Sequence, residues 1–232
     1  MLCRIADLIV EIPETGGMAP RCRAYLTDRS SKADITIDDD RYVLDDPLYT
    51  STNIACYMES GYQFYGHLLR FSGLLLHASA LEYEGKAYLF SGPSGVGKST
   101  HTRFWQQTFG EAAQIFNDDK PALRFLDGCW YAYGTPWCGK DGIHQNKKVP
   151  LAGICFLKQA KENAIRRMTA PEAVSHIYSQ TMYALRKPED MDRLLANMDN
   201  LVRCVPVWEL QNTPGRDAAK LAFEAMHLGK ND

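Results

Sequence analysis

A chain of 232 residues is long enough for one large α/β domain, or for a domain with a small appendage. A formal charge of −2 argues against a general nucleic-acid or membrane-surface binder. No apolar run approaches the ~20 residues of a membrane span. The N-terminus lacks a basic stretch followed by an apolar core and a small-residue cleavage site. The seven cysteines are odd in number and form no CxxC pair, which predicts reduced, mostly buried thiols and a cytoplasmic protein.

Residues 2–12 alternate loosely between apolar and polar and predict a strand. Gly16-Gly17 and Pro20 predict a turn, and Cys22–Leu26 and Ile35–Ile37 predict further strands. Residues 1–45 therefore read as a small β-rich N-terminal part, and 46–232 as the main domain. Between Pro47 and Ser72, Ile54, Met58, Gly61, Tyr62, Tyr65, Leu68 and Leu69 recur at three- and four-residue spacing, the pattern of one helix face. Gly73–Leu81 and Lys86–Phe90 read as a hairpin joined by Glu82–Gly85. If Leu81 faces Lys86, His77 lies opposite Phe90.

Thr100–Thr108 lacks Gly and Pro and predicts a helix that stops at Gly110. A short apolar strand then ends in Asn117-Asp118-Asp119, and Asp127-Gly128 marks a second hairpin. A βαβ repeat would place a helix there, so the sheet is expected to be mixed. A loop from Gly134 to about Pro150 carries Lys140, His144, Lys147 and Lys148. Strands follow at Leu151–Leu157, Ala164–Met168 and Cys204–Leu210, with helices at Pro171–Leu185, Pro188–Leu201 and Gly215–Leu228.

The most specific signal is Gly92-Pro93-Ser94-Gly95-Val96-Gly97-Lys98-Ser99, which satisfies G-x-x-x-x-G-K-[ST] at every fixed position. Strand Lys86–Phe90 enters it and a helix leaves it through Thr100, the context the motif requires. Glycines let the backbone wrap an anion with its N–H groups turned inward, and the helix adds its positive end. Lys98 supplies charge to the β- and γ-phosphates, and Ser99 offers a hydroxyl to Mg²⁺. Adjacent Asp118 and Asp119 permit a division of labour, one carboxylate holding the metal and the other accepting a hydroxyl proton, with His77 as its orienting neighbour. Lys140, Lys147 and Lys148 are candidates for clamping phosphates.

His77-Ala78-Ser79, the 92–100 segment and Asn117-Asp118-Asp119, taken together, resemble the catalytic domain of HPr kinase/phosphorylase. The arrangement is also similar to ATP-dependent phosphoenolpyruvate carboxykinase. The resemblance is good over about residues 73–135. It implies an α/β, P-loop-containing mixed sheet with flanking helices, with His77 and an aspartate in proton transfer and the other aspartate at the metal. Asp118 is the expected base and Asp119 the expected metal ligand. The glycine-rich segment that follows the aspartates in HPr kinases is not recognisable, and Tyr133–Lys140 stands in its place.

The expected function is ATP- and Mg²⁺-dependent transfer of the γ-phosphoryl to a hydroxyl, on a serine of a peptide, a protein or a free amino acid. The rival readings are a catalytically silent nucleotide-binding regulator and a carboxykinase-like enzyme acting on a small carboxylic acid. The carboxykinase reading needs converging cations, with Arg124, Lys140, Lys147 and Lys148 as candidates. The partners are then a nucleotide and the acceptor, with no nucleic acid or membrane and with room for a homo-oligomer.

Overall fold

A computed structural model describes residues 1–28, 32–43, 47, 49–181 and 187–229. The expected boundary at residue 45 lies outside these. At the N-terminus, β1 (Leu2–Ile5) and β2 (Leu8–Glu11) form a hairpin, and β3 (Ile35–Thr36) runs parallel to β2. The expected strand at Cys22–Leu26 is instead α1 (Met18–Cys22) followed by one 3₁₀ turn, Arg23–Tyr25. Met18, Cys22 and Tyr25 are the buried residues, at spacings of four and three, which is helical periodicity. Gly17, at φ 72°, opens that helix.

Helix α2 (Thr52–Leu68) starts at Ser51, whose hydroxyl accepts from the Ile54 N–H. Its buried face includes Cys56, Ser60, Phe64, Tyr65 and Leu68, and Ile54 is exposed, so the face is rotated from the expected stripe. The predicted single strand over Gly73–Leu81 is two strands, β4 (Gly73–Leu75) and β5 (Ala78–Tyr83). The chain changes partner between them, from β8 (Ala122–Leu126) to β6 (Lys86–Ser91) and β7 (Ala113–Asp119), and His77 sits at the change.

The β5–β6 turn is tighter than expected. Glu84 and Gly85, at φ 49° and 73°, form a two-residue loop, so Tyr83 pairs with Lys86 and Ala78 with Ser91. This shifts the expected register by two residues and puts His77 just beyond the last pair instead of opposite Phe90.

The chain continues through α3 (Lys98–Phe109), β7, β8, β9 (Cys129–Tyr133), β10 (Lys148–Gln159), β11 (Ala164–Arg167), α4 (Ala170–Gln180), α5 (Pro188–Cys204), β12 (Val207–Asn212) and α6 (Arg216–Met226). The end of the predicted helix Pro171–Leu185 lies outside the described residues. The large sheet runs β4-β8-β9-β10-β6-β5-β7, with β12 pairing both β10 and β11. Strand β10 is parallel to β6 and β12 and antiparallel to β9, so the sheet is mixed.

Alternation along the strands splits the core. Ala78, Ala80 and Leu89 join Ile177, Leu194 and Met198 of α4 and α5. Leu81, Tyr88 and Phe90 join Trp105 of α3 and Ala219 and Ala222 of α6. A third cluster joins the three-stranded sheet to Phe64 and Tyr65 of α2 and to Trp137. All seven cysteines are free, five of them buried. Among the described residues no helix is long and apolar enough to cross a membrane.

Candidate functional site

The segment between β6 and α3 is a loop shaped by glycines. Gly92, Gly95 and Gly97 have φ of 140°, 80° and 106°, where a side chain is strained. The space around Gly95 and Gly97 is open. No side chain caps the start of α3, and its first turn holds no carboxylate of its own, which leaves its positive end facing the cavity. Lys98 is buried, and its Nζ donates to the carbonyls of Gly92 (2.8 Å) and Pro93 (3.2 Å). Burial lowers the pKa of its ammonium, while Asp119 and Asp118 oppose the fall.

Strand β7 delivers the two aspartates to different partners. Ser99 Oγ donates to Asp118 Oδ1 at 3.1 Å. Asp119 faces the other way: His77 Nε2 lies 3.0 Å from its Oδ1, and Lys120 Nζ bonds Oδ2. The sequence-based pairing of Asp118 with His77 is therefore reversed. Successive side chains of a strand point to opposite faces, and Asp119 leaves the strand at φ 104°. Burial opposes ionisation of Asp119, but the His77 hydrogen bond and Lys120 overcome it and hold the carboxyl well below the usual carboxylate range.

The supports are local and buried. The His77 N–H donates to the Gln180 carbonyl, and its own carbonyl accepts from Ser91 Oγ. Fully buried Asn117 ties the turn after β7, accepting from the Lys120 N–H and donating to the Thr135 carbonyl. The loop after β9 runs along the free edge of β7 through bridges Asn117–His144 and Asp119–Cys138, which covers that edge and brings in Gly139 and Lys140.

His77, Ser94, Gly95, Gly97, Lys98, Ser99, Thr100, Asp118, Asp119 and Lys140 line one cavity of about 450 Å³. Gly92, Pro93 and Val96 line a neighbouring cavity that shares Ser94 and Gly95 with the first. Of the other candidate cations, Lys147 pairs with Glu82, Lys148 with Asp7, and Arg124 donates to the carbonyls of Phe71 and Ala6. They do not converge on the site. Arg21 and Lys120, which sequence reasoning missed, stand beside Asp119 in a second cavity. Lys120 follows the Asp-Asp pair directly and could have been noted; Arg21 carries no local signal.

Ser99 Oγ and Asp118 Oδ1 are hard oxygen donors of the kind Mg²⁺ takes, in the small number it uses when phosphate and water complete its shell. Among the described residues no group of three or more His, Cys, Asp or Glu gathers as a protein-only metal cage.

No curated protein matches the chain. Among solved structures it is similar to the HPr(Ser) kinase/phosphatase from Coxiella burnetii, at 12% identity and a TM-score of 0.36. That match covers 63% of this chain and 84% of the other, a likeness too slight to bear on fold or chemistry. A family model described as "SynChlorMet cassette protein ScmC" matches residues 44–216. That span is about three quarters of the sequence, and the chain belongs to the ScmC family.

Proposed function

We propose that the chain is an ATP- and Mg²⁺-dependent phosphotransferase that moves the γ-phosphoryl group to a hydroxyl, on a serine of a peptide, a protein or a free amino acid. The observation that carries this reading is the convergence on one cavity of Lys98, the Ser99–Asp118 pair and the His77–Asp119 pair. A pure nucleotide binder needs the first two and has no use for the third.

The loop amides and the N-terminus of α3 hold the phosphate oxygens, and Lys98 exchanges its two carbonyl partners for them. Ser99 and Asp118 would hold Mg²⁺, which neutralises charge on the phosphates when bound. Asp119 is the proton acceptor, the role expected of Asp118 passing to its neighbour. Its low proton affinity keeps it ionised, and it takes the hydroxyl proton late, as the new P–O bond forms. Because an ionised carboxylate only accepts, His77 Nε2 carries the hydrogen between them, fixing the carboxylate's direction.

The test is Mg²⁺-dependent ADP release and phosphorylated product over a panel of serine acceptors. Wild type is compared with Lys98→Ala, Asp118→Asn and Asp119→Asn. Acceptor-dependent turnover lost in all three variants supports the reading. Nucleotide binding without transfer, unaltered by Asp119→Asn, would leave a nucleotide-binding module.

A further inference from the structure

Asp119 lines three cavities, one of which, about 290 Å³ and shared with His77, Lys120, Tyr62 and Thr181, holds no unpaired cation among the described residues. Of the others, one is the phosphate-side cavity described above. Another, about 460 Å³, lies between α1, α2 and the loop after β9. Its lining holds three cations, Arg21, Lys120 and Lys140, against a single carboxylate, Asp119. Lys120 and Asp119 satisfy each other. Arg21 and Lys140 are then left over, and among the described residues neither has a carboxylate partner.

Arg21 is held by neutral groups. Its guanidinium lies over the Tyr57 ring at 4.8 Å, and one nitrogen donates to the Cys138 thiol at 3.2 Å. Lys120 Nζ sits 5.3 Å from the centre of the same ring. Tyr57 is fixed in turn by its hydroxyl bond to the Cys138 carbonyl, 2.9 Å. This is a preset guanidinium whose remaining N–H donors meet no carboxylate among the described residues. Arg21 and Lys120 do not line the phosphate cavity, so the nucleotide's phosphates are not what they wait for.

We propose that this second cavity is the acceptor subsite and that it selects a hydroxyl acceptor carrying a carboxylate close to the hydroxyl. The proposal rests on the kinase reading. Arg21 takes the carboxylate, with Lys140 beside it, and the hydroxyl comes to rest at Asp119, where the two cavities meet. The acceptor oxygen forms a bond to the γ-phosphorus, the bond from that phosphorus to the β–γ bridging oxygen breaks, and the hydroxyl proton passes to Asp119. The nucleoside diphosphate leaves with the bridging oxygen. The carboxylate has two sources: the α-carboxylate of a free hydroxy amino acid, or Asp and Glu side chains flanking a serine in a peptide.

Initial rates with MgATP separate these cases. One pair of acceptors is L-serine and L-serinamide. The other is N-acetylated, C-amidated Gly-Asp-Ser-Asp-Gly and its Gly-Asn-Ser-Asn-Gly counterpart. The acidic member of at least one pair is expected to have roughly tenfold higher kcat/KM, the scale of one charge-assisted bidentate contact. The pair that shows the preference identifies the carboxylate's source. Arg21→Gln is expected to abolish the preference through KM for the acidic acceptor, with kcat little changed. Arg21→Lys should restore part of it. Equal use of acidic and neutral acceptors by the wild type, or a preference that survives in Arg21→Gln, overturns the inference. Calorimetric MgATP binding, measured alongside, tells the two readings apart. Binding and transfer without acid preference removes this inference alone, and absence of binding removes the kinase reading with it.

Discussion

His101 should make the stability of the loop–helix unit depend on pH. It lies on α3, three residues after Lys98, buried against Phe90 at 4.4 Å between ring centres. Its Nε2 accepts from Trp105 Nε1–H at 3.2 Å, so the neutral ring carries its hydrogen on Nδ1. Among the described residues, Nδ1 and Asn212 Oδ1 are both buried without a hydrogen-bond partner. Protonation would place a second N–H against the Trp105 N–H in a dry pocket. Burial accordingly pushes the His101 pKa down from 6.5 to about 4. With the folded value below the unfolded one, the unfolded chain binds the extra proton first as pH falls. Stability is therefore intact above 6.5 and declines down to 4. The loss is about 2 kcal/mol between pH 7 and 5 and about 3 kcal/mol by pH 4. For a chain of this size, 2 kcal/mol corresponds to roughly 4–8 °C in Tm. Urea unfolding at pH 7, 6, 5 and 4.5 measures it, with His101→Gln as the comparison, because glutamine keeps an acceptor for Trp105 and does not titrate. The wild type should lose about 2 kcal/mol more than the variant on going from pH 7 to 5. Parallel losses in the two proteins would refute the argument.

Asp119→Asn should lower kcat by roughly 10²- to 10⁴-fold with little change in MgATP affinity, whereas Asp118→Asn should raise the Mg²⁺ concentration needed for half-maximal rate. Steady-state rates over a magnesium titration distinguish them, and identical behaviour of the two variants would contradict the division between the aspartates. Because Asp119 is held far below the usual carboxylate range, its ionisation persists throughout the acid window. The acid limb of the rate profile should then follow unfolding through His101, checked by recording rate and circular dichroism on the same samples. Gly97→Ala adds a side chain at φ 106° in open space, so the cost is backbone strain of about 1–3 kcal/mol and a distorted anion cradle. Urea unfolding and nucleotide calorimetry should both register it.

Where one physical rule acts locally, the sequence was readable. The Asp127-Gly128 hairpin has both residues at positive φ, as that dipeptide implies. The mixed sheet followed from the absence of a helix between β7 and β8. Failures came where two rules compete. Glu84 adopts φ 49°, which tightens the β5–β6 turn to two residues, and an acidic residue before glycine gives only a weak hint of this. Arg23–Tyr25 looks like strand by composition, yet the burial of Met18, Cys22 and Tyr25 against the three-stranded sheet selects a helical turn. Such tertiary selection overrides local propensity, and the four- and three-residue spacing of those three residues is its one local trace.

The candidate site divides the same way. The groups that line the cavity with Lys98 are legible as candidates because they are contiguous: Gly92 to Ser99 is one loop, and Asp118-Asp119 one strand end. What adjacency could not reveal is which aspartate does what. A strand sends neighbours to opposite faces, so a doubled carboxylate is two different groups, and only the partners across the sheet tell them apart. Ser99 on α3 captures Asp118; His77, at the break between β4 and β5, captures Asp119. The cations of the proposed acceptor subsite are harder still. Arg21 reaches Cys138 across 117 positions of sequence and is aimed by a tyrosine on α2. Its placement depends on the N-terminal sheet and α2 packing into a shared core with Trp137, so under the proposed role any change that loosens that core should blunt acceptor selection before it touches nucleotide binding.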